Sequence, residues 1–419
     1  MLTTLFPTTF AKEPAASLTR KAVSVDPVES TTAIAELRSL GPAGLESMRQ
    51  QFAEEIERRI ANPTMSTTPE WDRISRALDQ VAQQKDSYLS GLYWYTDLRE
   101  AQAASSQSGK PILSLRLLGK LTDELSCANS RFFRTVLYSN KEVSQVLREH
   151  FVLHWQTVRP VPLITIDFGD GRKIERTITG NSIHYFLDSE GNPLDGFPGV
   201  YGPQAFLKNL AQAESVFKLL NGKNEIERRT TLAKYYRGRI NEISLRWLND
   251  TTKLGGKVPE GFQVERNENG EALSIMPLAV SKAVTEGSML RAMVSGSEAL
   301  GRITDQAGWT SIAAMHASSA ALDEWSVSLM RRQNSNLAEE SFKRLVANFE
   351  KSVALDTVRN EYMLHTKLYA FLVADRGRSD VDKLNEKVYA ELFLTPRSDP
   401  WLGLLAPETY TGIANGGAK

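Results

Sequence analysis

Between Asp97 and Ala213 short apolar runs alternate with helical stretches, and this alternation limits the fold more than any other feature of the chain. Asp97 to Ser108 reads as a helix stopped by Gly109, and Pro111 to Leu115 as a buried strand. After a loop over Leu118 to Ser126, Cys127 opens a helix reaching Leu137, and Val143 to His150 gives a further turn or two. Phe151 to Val158 reads as a strand. Ile164 to Phe168 and Lys173 to Ile178 alternate around Gly169-Asp170-Gly171, a hairpin signature. Ile183 to Leu187 is the next apolar run, Asp188 to Asn192 a turn, and a helix starts at Phe206. Strands alternating with helices imply a parallel or mixed sheet covered on both faces.

The flanks read differently. Residues 1–30 are rich in Thr, Ser, Pro and Ala without periodicity and are expected to form a loose tail. Residues 31–89 read as a helical arm. Leu45, Met48, Phe52, Ile56 and Ile60 share one face, and Thr68-Pro69-Glu70 opens a second helix with Trp71, Ile74, Leu78 and Val81 inward. This arm is expected to pack onto something later in the chain. Residues 90–215 form the α/β unit, and 216–419 an all-helical domain, either a bundle or a shallow solenoid. Its helices are expected near 224–248, 276–300, 308–333, 337–355, 357–375 and 380–392, with loops at Gly255-Gly256 and Glu265 to Gly270.

Charge and cysteine usage narrow the function. Fifty Lys plus Arg balance fifty Asp plus Glu, so nothing calls for a nucleic-acid partner. One cysteine excludes an intrachain disulfide and a four-cysteine zinc site, and suits a reducing compartment. No run approaches the roughly 18 apolar residues of a membrane span, and Met1 to Lys12 lacks the pattern of a signal peptide. A cytoplasmic location is expected, with no membrane contact. Phosphate-loop, dinucleotide, nucleophile-elbow and zinc-protease motifs are all missing from the sequence.

Other groupings have plain readings. His150 and His154 stand four apart, but on a strand that spacing separates them by about 13 Å, so no metal is expected. Asp167 and Asp170 suit a turn, as does Asp188-Ser189-Glu190-Gly191-Asn192. Arg228, Arg229, Lys234, Arg237 and Arg239 read as a solvated basic helix face, with binding to an acidic partner or to phosphate as the lesser alternative. Trp401 sits in an apolar tip that either docks on the core or meets a partner.

The stretch Gly109 to Phe206 resembles the thioredoxin superfamily. The resemblance rests on Gly109-Lys110-Pro111 opening a strand, on Cys127-Ala128-Asn129-Ser130, and on Glu142-Val143, Leu147 and Phe151-Val152. A later block, Gly180-Asn181-Ser182-Ile183-His184-Tyr185-Phe186-Leu187-Asp188-Ser189-Glu190-Gly191, matches the family's strand and turn. The resemblance implies an α/β thioredoxin-like domain, a mixed sheet flanked by helices, between the helical arm and the helical domain. It places the family's nucleophile on Cys127, its resolving cysteine on Ser130 and its substrate-facing proline on Ser182. No cofactor is expected. A Cys-x-x-Ser site implies monothiol chemistry or redox sensing, with a partner protein or low-molecular-weight thiol meeting Cys127. The alternative is a redox-inactive scaffold for protein–protein interaction. Arg131 and Arg134 favour a thiolate at Cys127, whereas Phe132-Phe133 favour a buried thiol.

Overall fold

Ile112 to Leu118 is apolar apart from Ser114 and Arg116, and it becomes the central strand of a five-stranded sheet. The structure is a computed structural model and describes residues 13–177, 180–256, 300–301, 303–375 and 380–399. Its strands are β1 (Trp94–Tyr95), β2 (Ile112–Leu118), β3 (Val152–Arg159), β4 (Leu163–Asp167), β5 (Lys173–Thr177), β6 (Ser182–Leu187) and β7 (Pro193–Pro198). The order in the sheet is β1-β3-β2-β6-β7. β1, β3 and β2 run parallel, and β6 and β7 are antiparallel to their neighbours. β4 and β5 form a separate two-stranded ribbon. The architecture is thus a mixed α/β sheet flanked by helices, followed by a helical C-terminal region.

Residues directly opposite in an antiparallel pair share a face. The β2–β6 register therefore puts Ser114 and Arg116 on one face with Ile183 and Tyr185. Leu115 and Leu117 take the other face with His184 and Ser182. This second face is covered by sequence-near elements. The His184 ring lies 4.7 Å from that of Phe133 and 5.1 Å from that of Phe206, which belongs to the helix Pro203–Leu220.

The first face is covered from the far end of the chain. The link between β3 and β6 carries the ribbon and, among its described residues, no helix. Helical segments Thr366–Asp375 and Val381–Lys387 fill the place instead. Arg116 meets Asp382 at 3.0 Å, Tyr185 Oη donates to Asn385 Oδ1 at 3.4 Å, and Leu368 packs against Gly196 of β7. Among the described residues, one hydrophobic core consequently joins residues of the sheet with residues as far along the chain as Leu392. The expected helical domain shares its core with the sheet.

Several expectations are corrected. The stretch taken as a tail is helical from Ala15–Ala22 and again from Pro27–Ser39, with Asp26 accepting from Val28 N–H as a cap. The first of these helices buries Leu18, Thr19 and Ala22, and the second, which runs on into the arm, buries Ala33, Ile34 and Leu37, too widely interrupted by Ser, Thr and Glu to show as a stripe. The arm's first helix is two, Pro42–Gln51 and Ala53–Ala61, broken at Phe52. The arm packs onto Leu329 of the helix Glu324–Gln333, and Arg332 of that helix meets Asp86 at 2.6 Å. β7 was not foreseen, because two prolines and a glycine in six residues hide an edge strand.

The basic helix is not uniformly solvated. Arg228 pairs with Asp188 at 2.7 Å, and Arg239 is buried beside Glu242 and Glu361. The helix expected near 276–300, apart from its last residue, the loop Glu265 to Gly270 and the Trp401 tip lie outside the described residues, as does Ile178. Among the described residues no helix is long and apolar enough to cross a membrane.

Candidate functional site

β2 ends at Leu118, and the chain returns through Ser126 to a short helix, Ala128–Phe132, that begins beyond the strand's end. Cys127 is its N-cap, and the thiol Sγ accepts the Ser130 N–H at 3.4 Å. First-turn N–H groups have no partner within a helix, so a sulfur placed there is offered hydrogen bonds that favour its charged form. The helix then changes pitch, and Phe133–Leu137 forms a π-helical turn where a continuous helix to Leu137 was expected.

The surroundings work the other way. Cys127 is 0% exposed and packs with Leu118 and Tyr389, flanked by Val158, Val161 and Phe393. Burial pushes the thiol up. The N–H groups of Ser130, Leu118 and Asn129 and the charge of Arg131 oppose this without outweighing it. Arg134 does not serve the thiol. It donates to the carbonyls of Asp123 and Glu124 at 2.7 and 2.8 Å and so pins the preceding loop.

Ser130 and Ser182 come to the same place. Both are buried, and the Ser130 hydroxyl has no hydrogen-bond partner among the described residues. Asn129 Nδ2 donates to Ser182 Oγ at 2.8 Å, which ties the start of β6 to the turn carrying Cys127. Gly180 permits the approach, since a Cβ there would stand 3.2 Å from the Asn129 nitrogen. Arg131 donates to Thr177 Oγ1 at 3.2 Å, and Thr177 donates to the Ser126 carbonyl at 3.2 Å, so the ribbon's base is held at the same site.

The cover over Cys127 comes from a segment in which the sequence showed no motif. Val388–Leu392 is another π-helical turn, and Leu394 beyond it has φ +54°, a left-handed conformation uncommon for a side-chain-bearing residue. Tyr389 Oη donates to the Asn181 carbonyl at 3.0 Å. Asn181 Nδ2 donates to Thr395 Oγ1 at 3.2 Å. Arg159, at the end of β3, donates to the carbonyls of Thr395 and Pro396 at 2.9 and 3.2 Å. Asn129, Asn181 and Tyr389 are therefore site residues that motif reading missed.

The other candidates separate. His154 is buried on β3 with Nδ1 2.8 Å from Ser114 Oγ, while His150 bonds Glu214 at 2.9 Å. No group of three or more His, Cys, Asp or Glu among the described residues could hold a metal ion. Asp167 and Asp170 accept the N–H groups of Gly169 and Arg172 at 2.9 and 3.1 Å, and Asp188 accepts those of Glu190 and Asn192 at 3.0 and 2.9 Å, as turn residues do. No protein-family model, no curated protein and no solved structure matches the chain, so function rests on the geometry around Cys127.

Proposed function

We propose that this chain is a thioredoxin-like protein whose thiol site is closed by its own C-terminal region, and that it acts as a redox-silent scaffold for protein–protein interaction. The strand order, the cysteine capping the helix after β2 and the approach of Ser182 to that helix support the thioredoxin-like part. The observation that carries the scaffold is the burial of Cys127 beneath Tyr389, with its thiol raised by that burial. A protonated, enclosed thiol with a serine three residues on has neither a nucleophile nor a resolving partner. The test is alkylation of Cys127 across pH in folded protein, with unfolded protein as reference. Folded protein is expected to be inert. Rapid reaction below about pH 7 would sink the scaffold reading.

A second reading keeps the thiol chemistry and has one observation in its favour, the hydrogen bond from Ser130 N–H to Sγ. In it Cys127 is a monothiol nucleophile or sensor, Ser130 stands in the resolving position and Ser182 lines the substrate face. The segment around Tyr389 then has to lift before a protein or small thiol can reach the sulfur. An apparent thiol pKa below about 8.5 in the Tyr389→Ala variant would favour this reading, and a value above it the scaffold.

A further inference from the structure

Among the described residues, the ribbon β4–β5 is the one place where large apolar side chains gather in solvent on a strand pair. Leu163, Ile164, Ile166, Phe168 and Ile174 are between 37% and 56% exposed. The register sorts them. Ile164 lies opposite Arg176 and Ile166 opposite Ile174, and the Phe168 N–H extends the ladder to the Arg172 carbonyl at 3.1 Å. These residues share one face. The other face holds Leu163 opposite Thr177 at the ribbon's base, then Thr165 opposite Glu175, and Asp167 opposite Lys173 with their charges 3.2 Å apart. Beyond its base the ribbon is thus amphipathic, and among the described residues no core lies beneath its apolar face.

Two cations stand on that apolar face. Arg172 is satisfied locally, by Asp170 at 2.7 Å and by the Phe168 ring at 5.0 Å. Arg176 makes no ion pair among the described residues. Among the described residues no strand pairs with the outer edge of β5, so its backbone groups are a template for another strand.

We propose that the β5 edge receives an extended segment of a partner protein in which acidic and apolar side chains alternate on one face. A carboxylate then meets Arg176 and an apolar side chain meets Ile174, while backbone hydrogen bonds form along the edge. The open edges weigh against a lipid bilayer, where unpaired backbone groups have no partner. Charge gives a second copy no net gain from pairing through β5. In an antiparallel pair of β5 strands, alignment on Ile174 sets Arg172 against Arg176 but Lys173 against Glu175, and alignment on Glu175 sets that residue against itself. The proposal stands whether or not Cys127 reacts, so its failure leaves the alkylation result untouched.

The test uses the full chain and a fluorescein-labelled peptide repeating Glu-Thr-Val-Thr, with Lys-Thr-Val-Thr as control, read by fluorescence anisotropy. A saturable rise is expected for the acidic peptide only. Arg176→Glu and Ile174→Thr each weaken it about tenfold while leaving the melting temperature unchanged, because both side chains are outside the core. No saturable rise, equal binding of the two peptides, or an Arg176→Glu variant that binds as tightly as the parent overturns the proposal. So does a dimer in sedimentation that Ile166→Lys disperses, since the ribbon would then belong to a second copy.

Discussion

Tyr389 both covers the sulfur of Cys127 and donates to the Asn181 carbonyl, so its two parts can be tested apart. Tyr389→Phe keeps the ring and loses one buried hydrogen bond, at a cost of about 1 kcal/mol in urea denaturation, with the thiol still covered. Tyr389→Ala removes the ring. It is expected to cost about 3–5 kcal/mol and to raise the alkylation rate of the folded protein at constant pH. The histidines carry a separate prediction. Burial brings His184 down to about 3, and burial with the Arg116 charge does the same for His154. Both are neutral when folded and take up protons near pH 6.5 when unfolded. Their contribution is therefore complete above about pH 6.5 and falls away as pH drops towards 3, by up to about 1.4 kcal/mol per pH unit for each. Urea titrations at stepwise lower pH check the slope, and His154→Gln with His184→Gln should flatten it. Cys127 and Ser182 were legible because they sit in short local patterns. Asn129 was inside such a pattern yet unremarked, and Tyr389 was invisible, since its role exists only once distant parts of the chain meet.

The elements were readable in proportion to how regular their burial is. β2 and β6 are buried along their whole length and mostly apolar, β3 begins with four buried residues, and the helix Glu225–Lys253 has Asn224 and Glu227 in a capping box at its start. β7 escaped notice because its identity comes from pairing with β6 and from what lies beneath it. Gly196 stands opposite Tyr185, and a Cβ there would meet Leu368 Cδ2 at 3.0 Å and Tyr185 Cδ1 at 3.3 Å. Gly196→Val is expected to cost about 1–3 kcal/mol by overpacking this contact, seen as a lower denaturation midpoint with unchanged far-UV circular dichroism. The π-helical turns at Phe133–Leu137 and Asn360–His365 were likewise hidden, because a one-residue change of pitch leaves apolar periodicity nearly intact.

Across the whole molecule, a buried polar network fastens the sheet to the helices. Asp195 of β7 accepts from Tyr235 and Tyr369 and faces His365 Nε2 at 3.5 Å. Glu361 meets Arg246 at 2.5 Å, and Arg239 lies 3.6 Å away. Burial works against charge on both His365 and Glu361. Asp195 and Glu361 nevertheless raise the histidine, and His365, Arg246 and Arg239 hold Glu361 well below the usual carboxylate range. The His365 contribution is full below about pH 6.5 and is lost as pH rises through its raised folded value, the opposite sense to His154 and His184. Asp195→Ala strands a buried histidine and two tyrosines and is expected to cost about 3–5 kcal/mol, read from the urea midpoint. The division into an α/β unit and a helical domain was the natural reading of periodicity, which reports elements and not which of them share a core. The enclosed thiol also turns the molecule into its own clock. With one cysteine in the chain, labelling by excess reagent at neutral pH proceeds only when the C-terminal cover breathes. Its rate relative to unfolded protein then gives the free energy of that local opening, set against the global value from denaturant.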